Sequence, residues 1–294
     1  MMNDSNNFAY HVGRIVGKYK LDSLVGRGGM AEVYKSTHPE LGRDLAIKVL
    51  HPFYTDTADF IARFRREAQA AAALRHPNIV QIYDFDVSDD GLYYMVMEYI
   101  DGQTLEAYLA EAALPLSLTQ AMTLFEQIAA ALQFAHQKGT IHRDIKPANI
   151  MLDQQGHVYL ADFGIAQIVG GSRLTQSGMT TGTPAFMAPE QVRGEAVTAA
   201  ADIYALGVIL YYMVTGQYPH QGDSPLTVMM NKVAQLPTPP TQFAPDLPLD
   251  VEAIILTALA QQPEERFADA ATMAAALRQV VAGADSLTPP LPLP

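Results

Sequence analysis

Ile141-His142-Arg143-Asp144-Ile145-Lys146-Pro147-Ala148-Asn149, followed further on by Asp162-Phe163-Gly164, is the stretch on which the reading of this chain turns. An acid, a lysine and an amide stand at fixed spacing, and a second acid sits against a glycine. Asp144 suits proton acceptance from a hydroxyl. Lys146 suits neutralising a phosphoryl group in transfer. Asn149 and Asp162 offer oxygen ligands of the kind Mg²⁺ takes. Taken singly, each is also an ordinary capping or loop residue. Together, the spacing selects phosphoryl transfer. With Asp144 so near, His142 reads as a hydrogen-bonded core histidine rather than a general base.

Upstream, Gly26-Arg27-Gly28-Gly29-Met30-Ala31-Glu32-Val33 follows an apolar strand. Glycines let a backbone approach phosphates and aim N–H groups at them. Alone, this loop fits a flexible hairpin equally well. It gains meaning from Ala46-Ile47-Lys48. Residues 44–50 alternate, so Ala46 and Lys48 share one face and Leu45, Ile47 and Val49 the other. A small residue there leaves room for a flat ring, and the cation can meet phosphate oxygens. Residues 57–74 read as a helix with Phe60, Phe64, Glu67, Ala71 and Leu74 on one stripe. A carboxylate on that stripe needs a buried partner. Lys48 is the candidate, the alternative being a Glu67 that faces solvent.

The rest of the chain falls into a strand-rich part and a helical part. Strands are expected at 79–86 and 92–99, joined by a turn at Asp89-Asp90-Gly91. A long helix is expected at 118–137, stopped at Lys138-Gly139. A hairpin follows at 150–152 and 158–160, then helices at 202–215, 249–260 and 268–282. Residues 237–248 form a proline-rich surface loop. The apolar run 203–214 is shorter than the roughly 20 residues that span a bilayer, and reads as a core helix.

These motifs together resemble the catalytic domain of a bacterial Hanks-type serine/threonine protein kinase, over residues 19 to about 282. The resemblance implies an α+β, bilobal protein kinase fold: a small β-rich N-lobe with one main helix (19–98), a hinge (98–102) and a larger helical C-lobe (103–283), with a ligand cleft between the lobes. Residues 1–18 are then a flexible leader and 284–294 a Pro-rich tail, better read as a disordered end or linker than as a polyproline ligand. By the same resemblance ATP is the donor, with Mg²⁺ as the metal and Mn²⁺ a substitute. Gly26, Arg27, Gly28, Gly29, Met30, Ala31 and Val33 form the phosphate loop, and Lys48 pairs with Glu67. Met97 is the gatekeeper, and Glu98 to Ile100 the adenine hinge, with Ala46 and Met151 beside the nucleotide. Asp144 is the catalytic base assisted by Lys146, and Asn149 and Asp162 hold the metal. Ala188-Pro189-Glu190 closes the activation segment, with Glu190 paired to Arg266. Asp202 anchors the catalytic loop. Thr183 and Lys146 point to Ser/Thr substrates, Arg143 to a phosphate-binding role, and Thr175 and Ser177 to phosphosites modified in trans through a transient homodimer. Thr180 and Thr181 lie in the same segment. Ala31 replaces the loop's third glycine and implies a stiffer loop.

Composition sets the outer bounds. The chain has 294 residues, a net charge of -12 and no cysteine. Such acidity disfavours nucleic acid and anionic membranes as partners. Disulfides, zinc-thiolate sites and cysteine nucleophiles are excluded, which suits a cytoplasmic setting. Neither an apolar signal core nor a membrane span is apparent, so the reading is a soluble kinase or a catalytic domain cut before its linker. The competing reading is a weakly active, pseudokinase-like nucleotide-binding scaffold that works through a partner.

Overall fold

The computed structural model describes residues 11–29, 31–51, 58–163 and 184–286, the side chains of 58–60, 63, 67 and 284–286 excepted. Met30, Gly164, Thr175, Ser177, Thr180, Thr181 and Thr183 lie outside the described residues, as does the Glu67 side chain. The chain divides into two units: one holds the described residues up to Arg75 with Val80–Asp101, the other His76–Ile79 with those from Gly102 on.

The first unit is built on a five-stranded antiparallel sheet of order β3-β4-β5-β7-β6, from β3 (Ser23–Arg27), β4 (Ala31–Thr37), β5 (Asp44–Leu50), β6 (Ile82–Val87) and β7 (Tyr93–Glu98). β5 is central, so both its faces are buried, and the expected alternation holds. Leu45, Ile47 and Val49 join Tyr34, Tyr94 and Val96 in one core cluster, while Ala46, Lys48 and Leu50 fall on the other face.

Residues 11–18 depart from the expected flexible leader. β1 (Ile15–Val16) pairs with β2 (Tyr19–Lys20), and Gly13 N and Leu21 N bond back to Leu21 O and Arg14 O. Val16 is 0 % exposed and completes the core cluster with Tyr19 and Leu21. Val12 and Ile15 in the same stretch are exposed, and nothing in the sequence singles out Val16 from them.

Helix α1 (Ala58–Ala72) buries Phe64, Ala68 and Ala71, with Leu74 just beyond it, and sets Phe64 against Phe85 of β6 at 5.2 Å between rings. The strand expected from residue 79 starts only at Ile82. Residues 76–79 belong to the second unit. Asn78 Nδ2 donates to Val158 O at 2.8 Å, and Asn78 O accepts Leu160 N at 2.8 Å.

The second unit starts with β8 (Gly102–Thr104), the short α2 (Leu105–Glu111) and the long α3 (Leu118–Gln137). Ser117 and Gln120 form a reciprocal capping box that starts α3 where the sequence predicts it. β9 (Ile150–Asp153) and β10 (Val158–Leu160) make the expected hairpin and add β8 as a third strand. The helices α4 (Pro189–Arg193), α5 (Ala199–Thr215), α6 (Pro225–Ala234), α7 (Leu249–Ala258) and α8 (Ala270–Ser286) follow. From Ala201 to Thr215 every residue of α5 except Tyr212 is buried, as expected of a core helix. No helix among the described residues is long and apolar enough to cross a membrane. α8 runs to Ser286, past the expected boundary at 283.

β8 lies so close to β9 that a Cβ at Gly102 would collide with the Leu152 carbonyl. Overpacking of this kind costs roughly 1–3 kcal/mol. Gly102→Ala should therefore lower unfolding free energy by about 2 kcal/mol in urea titration. An unchanged midpoint would mean that the strand pair yields freely.

Candidate active site

In the first unit, β3 and β4 form the hairpin that carries the glycine loop. Gly26 lies opposite Val33 and Arg27 opposite Glu32, with Gly28 N bonded to Ala31 O at 2.9 Å. Gly26, Gly28 and Gly29 are not among the glycines at positive φ, and a Cβ on Gly26 or Gly29 would touch nothing within 4 Å among the described residues. Neither backbone angle nor packing against those residues demands glycine at Gly26 and Gly29. Ala31 is buried and begins β4 paired with Leu50, so alanine meets no steric objection there. Lys48 is 8 % exposed and pairs across the sheet with Val33 and Met95, while Ala46 pairs with Lys35 and Met97. Glu98, at the end of β7, exchanges backbone and side-chain bonds with Gln81. Tyr99, Ile100 and Asp101 lead out of the unit.

In the second unit, the stretch 141–149 is held from below by Asp202, in the first turn of α5. One carboxylate oxygen accepts Arg143 N at 2.7 Å; the other accepts His142 N at 2.8 Å and faces His136 Nε2 at 2.8 Å. This grip matters because Arg143 has φ 69, a left-handed angle costly for a residue with a Cβ. His142 is fully buried. Its Nδ1 accepts Asp144 N at 3.3 Å, so Nε2 carries the proton and donates to Ala161 O at 2.7 Å. The core-histidine reading therefore holds. The ring also packs on Phe163, with centroids 4.6 Å apart.

Asp144 is the hub of the polar groups. Its Oδ2 accepts Lys146 Nζ at 2.8 Å and Asn149 Nδ2 at 2.9 Å, and its backbone O accepts the same Nδ2 at 2.8 Å. With both amide hydrogens given to Asp144, Asn149 presents Oδ1 as its outward ligand atom. Asn149 O also holds Ala161 N at 2.9 Å, which fixes the start of the turn into Asp162. Asp162 has φ 63, the second left-handed residue bearing a side chain among those described. Among the described residues no three His, Asp or Glu cluster as a metal cage. One carboxylate and one amide oxygen, completed by phosphate oxygens and water, is the manner in which Mg²⁺ is usually held. The donor set fits that ion.

A second anchor lies behind this loop. Arg266 and Glu190 form a bidentate pair with both bonds at 2.7 Å, and Arg266 also donates to the carbonyls of Ala200, Ala260 and Gln261. Sequence reasoning missed Gln191, one residue on. It accepts Ala188 N at 2.8 Å and donates to Arg143 O at 2.9 Å, linking α4 to the loop. It also missed His136, whose helical position gives no hint of a partner on α5.

The model for the protein kinase domain matches residues 19–279. The chain belongs to the protein kinase family. It is 42% identical over 266 residues to the serine/threonine-protein kinase PrkC of Bacillus subtilis, and 43% identical over 270 residues to PknB of Mycobacterium leprae. Each match covers 90% of this chain but 41% and 43% of the relative, so the chain spans about two-fifths of their length. In structure it resembles the kinase domain of Mycobacterium tuberculosis PknI, with TM-score 0.73 and 30% identity over 92% of this chain and 98% of that one. The kinase fold, a β-rich lobe and a helical lobe, is thus shown.

The Arg266–Glu190 pair is buried, with side chains 0% and 2% exposed. Removing one partner of a buried pair typically costs 3–5 kcal/mol. Glu190→Gln should lower stability by about 3 kcal/mol, measured by the shift in urea midpoint. A loss below about 0.5 kcal/mol would rank this pair with surface pairs.

Proposed function

We propose that this domain transfers the γ-phosphoryl group of ATP to serine or threonine side chains of protein substrates. The carrying observation is Asp144, whose Oδ2 is held by Lys146 and Asn149 while Oδ1 makes no bond to either. Oδ1 is the atom offered to the substrate hydroxyl proton. Lys146, seated on the same carboxylate, faces the transferring phosphoryl group. Asn149 Oδ1 and Asp162 would hold Mg²⁺, which when bound neutralises charge on the phosphates. Lys48, supported by Glu67, meets phosphate oxygens. Gly26 and Gly29, where a Cβ would meet no described residue, would let phosphates approach the loop of Arg27, Gly28, Met30, Ala31 and Val33. Ala46, Met97, Glu98, Ile100 and Met151 accommodate the adenosine. Catalysis is positioning plus electrostatics, with turnover of about 1–100 s⁻¹. Use of ATP implies a cytoplasmic site of action.

Regulation follows from Arg143. Its Nε is buried and, among the described residues, has no hydrogen-bond partner. A phosphate on Thr175 or Ser177 would supply one, at about -1.5 to -2 charge. We infer autophosphorylation in trans, through a transient pair of chains, with Thr183 left unmodified to face Asp144 and Lys146. The alternative, a nucleotide-gated scaffold, is disfavoured by the presence of Lys48, Asp144, Lys146, Asn149 and Asp162.

Three variants test this reading. Lys48→Met should cut transfer by roughly 10²–10³ with the fold intact, and normal turnover would remove Lys48 from the mechanism. Asp144→Asn should keep ATP affinity and lose roughly 10²–10⁴ in rate; an unchanged rate at saturating ATP would favour the scaffold. In the Thr175→Ala/Ser177→Ala double variant, the lag before full activity should vanish and the rate stay at that of phosphatase-treated wild type. Full turnover in that variant would exclude loop phosphorylation as the switch.

A further inference from the structure

Lys232 on α6 is 0 % exposed, yet its place in the kinase chemistry is unassigned. Its Nζ donates to the carbonyls of Ala185 at 2.7 Å and Met187 at 2.6 Å. The ammonium also lies over the Tyr204 ring of α5, 4.8 Å from its centroid, with the Arg266 guanidinium over the same ring at 5.0 Å. The backbone of Lys232 is held too, since Gln261 Nε2 donates to its carbonyl at 2.7 Å.

This is an expensive arrangement. Burial first, and the Arg266 charge second, push the Lys232 ammonium down to about 7, with Glu190 pulling it up. His220, also buried, is pushed down by that burial first and by the Lys232 charge second. A methionine in this place would fill much the same volume without the cost of burying a charge. What a methionine lacks is donors. The Ala188 carbonyl accepts Gln191 N and Val192 N of α4, but Ala185 lies in a short 3-10 turn and Met187 in an irregular stretch, so their carbonyls need a partner from elsewhere.

That stretch leads directly to the Asp144 loop. Ala188 N is bonded by Gln191 Oε1, and Gln191 Nε2 donates to Arg143 O, the residue before Asp144. Lys232 therefore fixes one end of a backbone segment whose other end is tied beside the proposed base. We propose that Lys232 is a positioning residue for the protein substrate, holding the backbone from Pro184 to Ala188 as a platform for residues that flank the accepting serine or threonine. The proposal rests on the kinase reading. It predicts an effect on peptide recognition and none on ATP, because the partners of the Lys232 side chain among the described residues, Ala185, Met187 and Tyr204, include none of those assigned to the nucleotide.

The experiment uses Lys232→Met, which removes the donors and keeps the bulk, assayed with a single-threonine peptide that also reports on wild type. Loss of a charge-assisted bond is worth about tenfold. KM for the peptide should rise about tenfold, with kcat within about twofold and KM for ATP unchanged. Amide hydrogen exchange at residues 185–188 should quicken in the variant. Lys232→Gln, which keeps an uncharged amide donor group on a shorter side chain, should fall between, and it carries the test if the methionine variant does not fold. An unchanged peptide KM in a folded variant overturns the proposal, as does an equal rise in KM for ATP. If wild type itself transfers no phosphate, the kinase reading fails. The exchange data then decide the tether alone, and unchanged exchange overturns it.

Discussion

The grip of Asp202 on the backbone at residues 142–143 is the constraint on which the second unit's chemistry depends. A left-handed residue with a side chain costs about 1–3 kcal/mol and persists only when its surroundings enforce it. Arg143 is such a residue. A hydrogen bond to a charged group contributes about 1.5–3 kcal/mol, and the carboxylate accepts two from consecutive backbone N–H groups. The balance favours the strained turn, and the turn brings Asp144, Lys146 and Asn149 to one point. The carboxylate is itself well placed, in the first turn of a helix where negative charge meets the positive end of the dipole.

A second layer of constraint runs through neutral groups. His142 joins Asp144 N to Ala161 O, and its ring supports Phe163. The loop that carries Asp144 and the turn that carries Asp162 are thus parts of one hydrogen-bonded assembly. Gln191 and the Glu190–Arg266 pair extend the same assembly to α4 and the residues before α8. Rigidity of this kind is what electrostatic catalysis requires, since preorganised groups need not rearrange when charge develops.

The sequence was most informative where several residue types must coincide. Asp144, Lys146 and Asn149, which the structure brings together, stood out in the sequence because their proposed chemistry is joint. α3 was legible to the residue because Ser117, Gln120 and Gly139 mark its ends. The missed helices α2 and α4 run to only seven and five residues, and periodicity needs length to speak; α6 was missed too, although at ten residues it matches α7. Their caps were there to be read: Thr104 for α2, Pro189 and Gly194 for α4, and Ser224-Pro225 for α6. Lys232 left no trace, because a lone lysine looks like a solvated one until its two carbonyl partners are known. Val16 was missed because it stands with Val12 and Ile15, which are exposed, and its burial depends on strands distant in sequence.

The placement of residues 76–79 has a consequence for how the chain is wired. Asn78 and Ile79 are stitched to β10, and His76 rests on Phe134 of α3 with rings 5.1 Å apart. The polypeptide leaves the first unit after Arg75, visits the second, returns at Val80, and leaves again after Asp101. Three covalent crossings join the units where a simple tandem pair has one. A single nick in the 98–102 segment would leave them tethered, and no single cut yields both units whole. During synthesis the first unit's α1 and β6 emerge on either side of a segment whose anchors, Val158 and Leu160, have yet to be made.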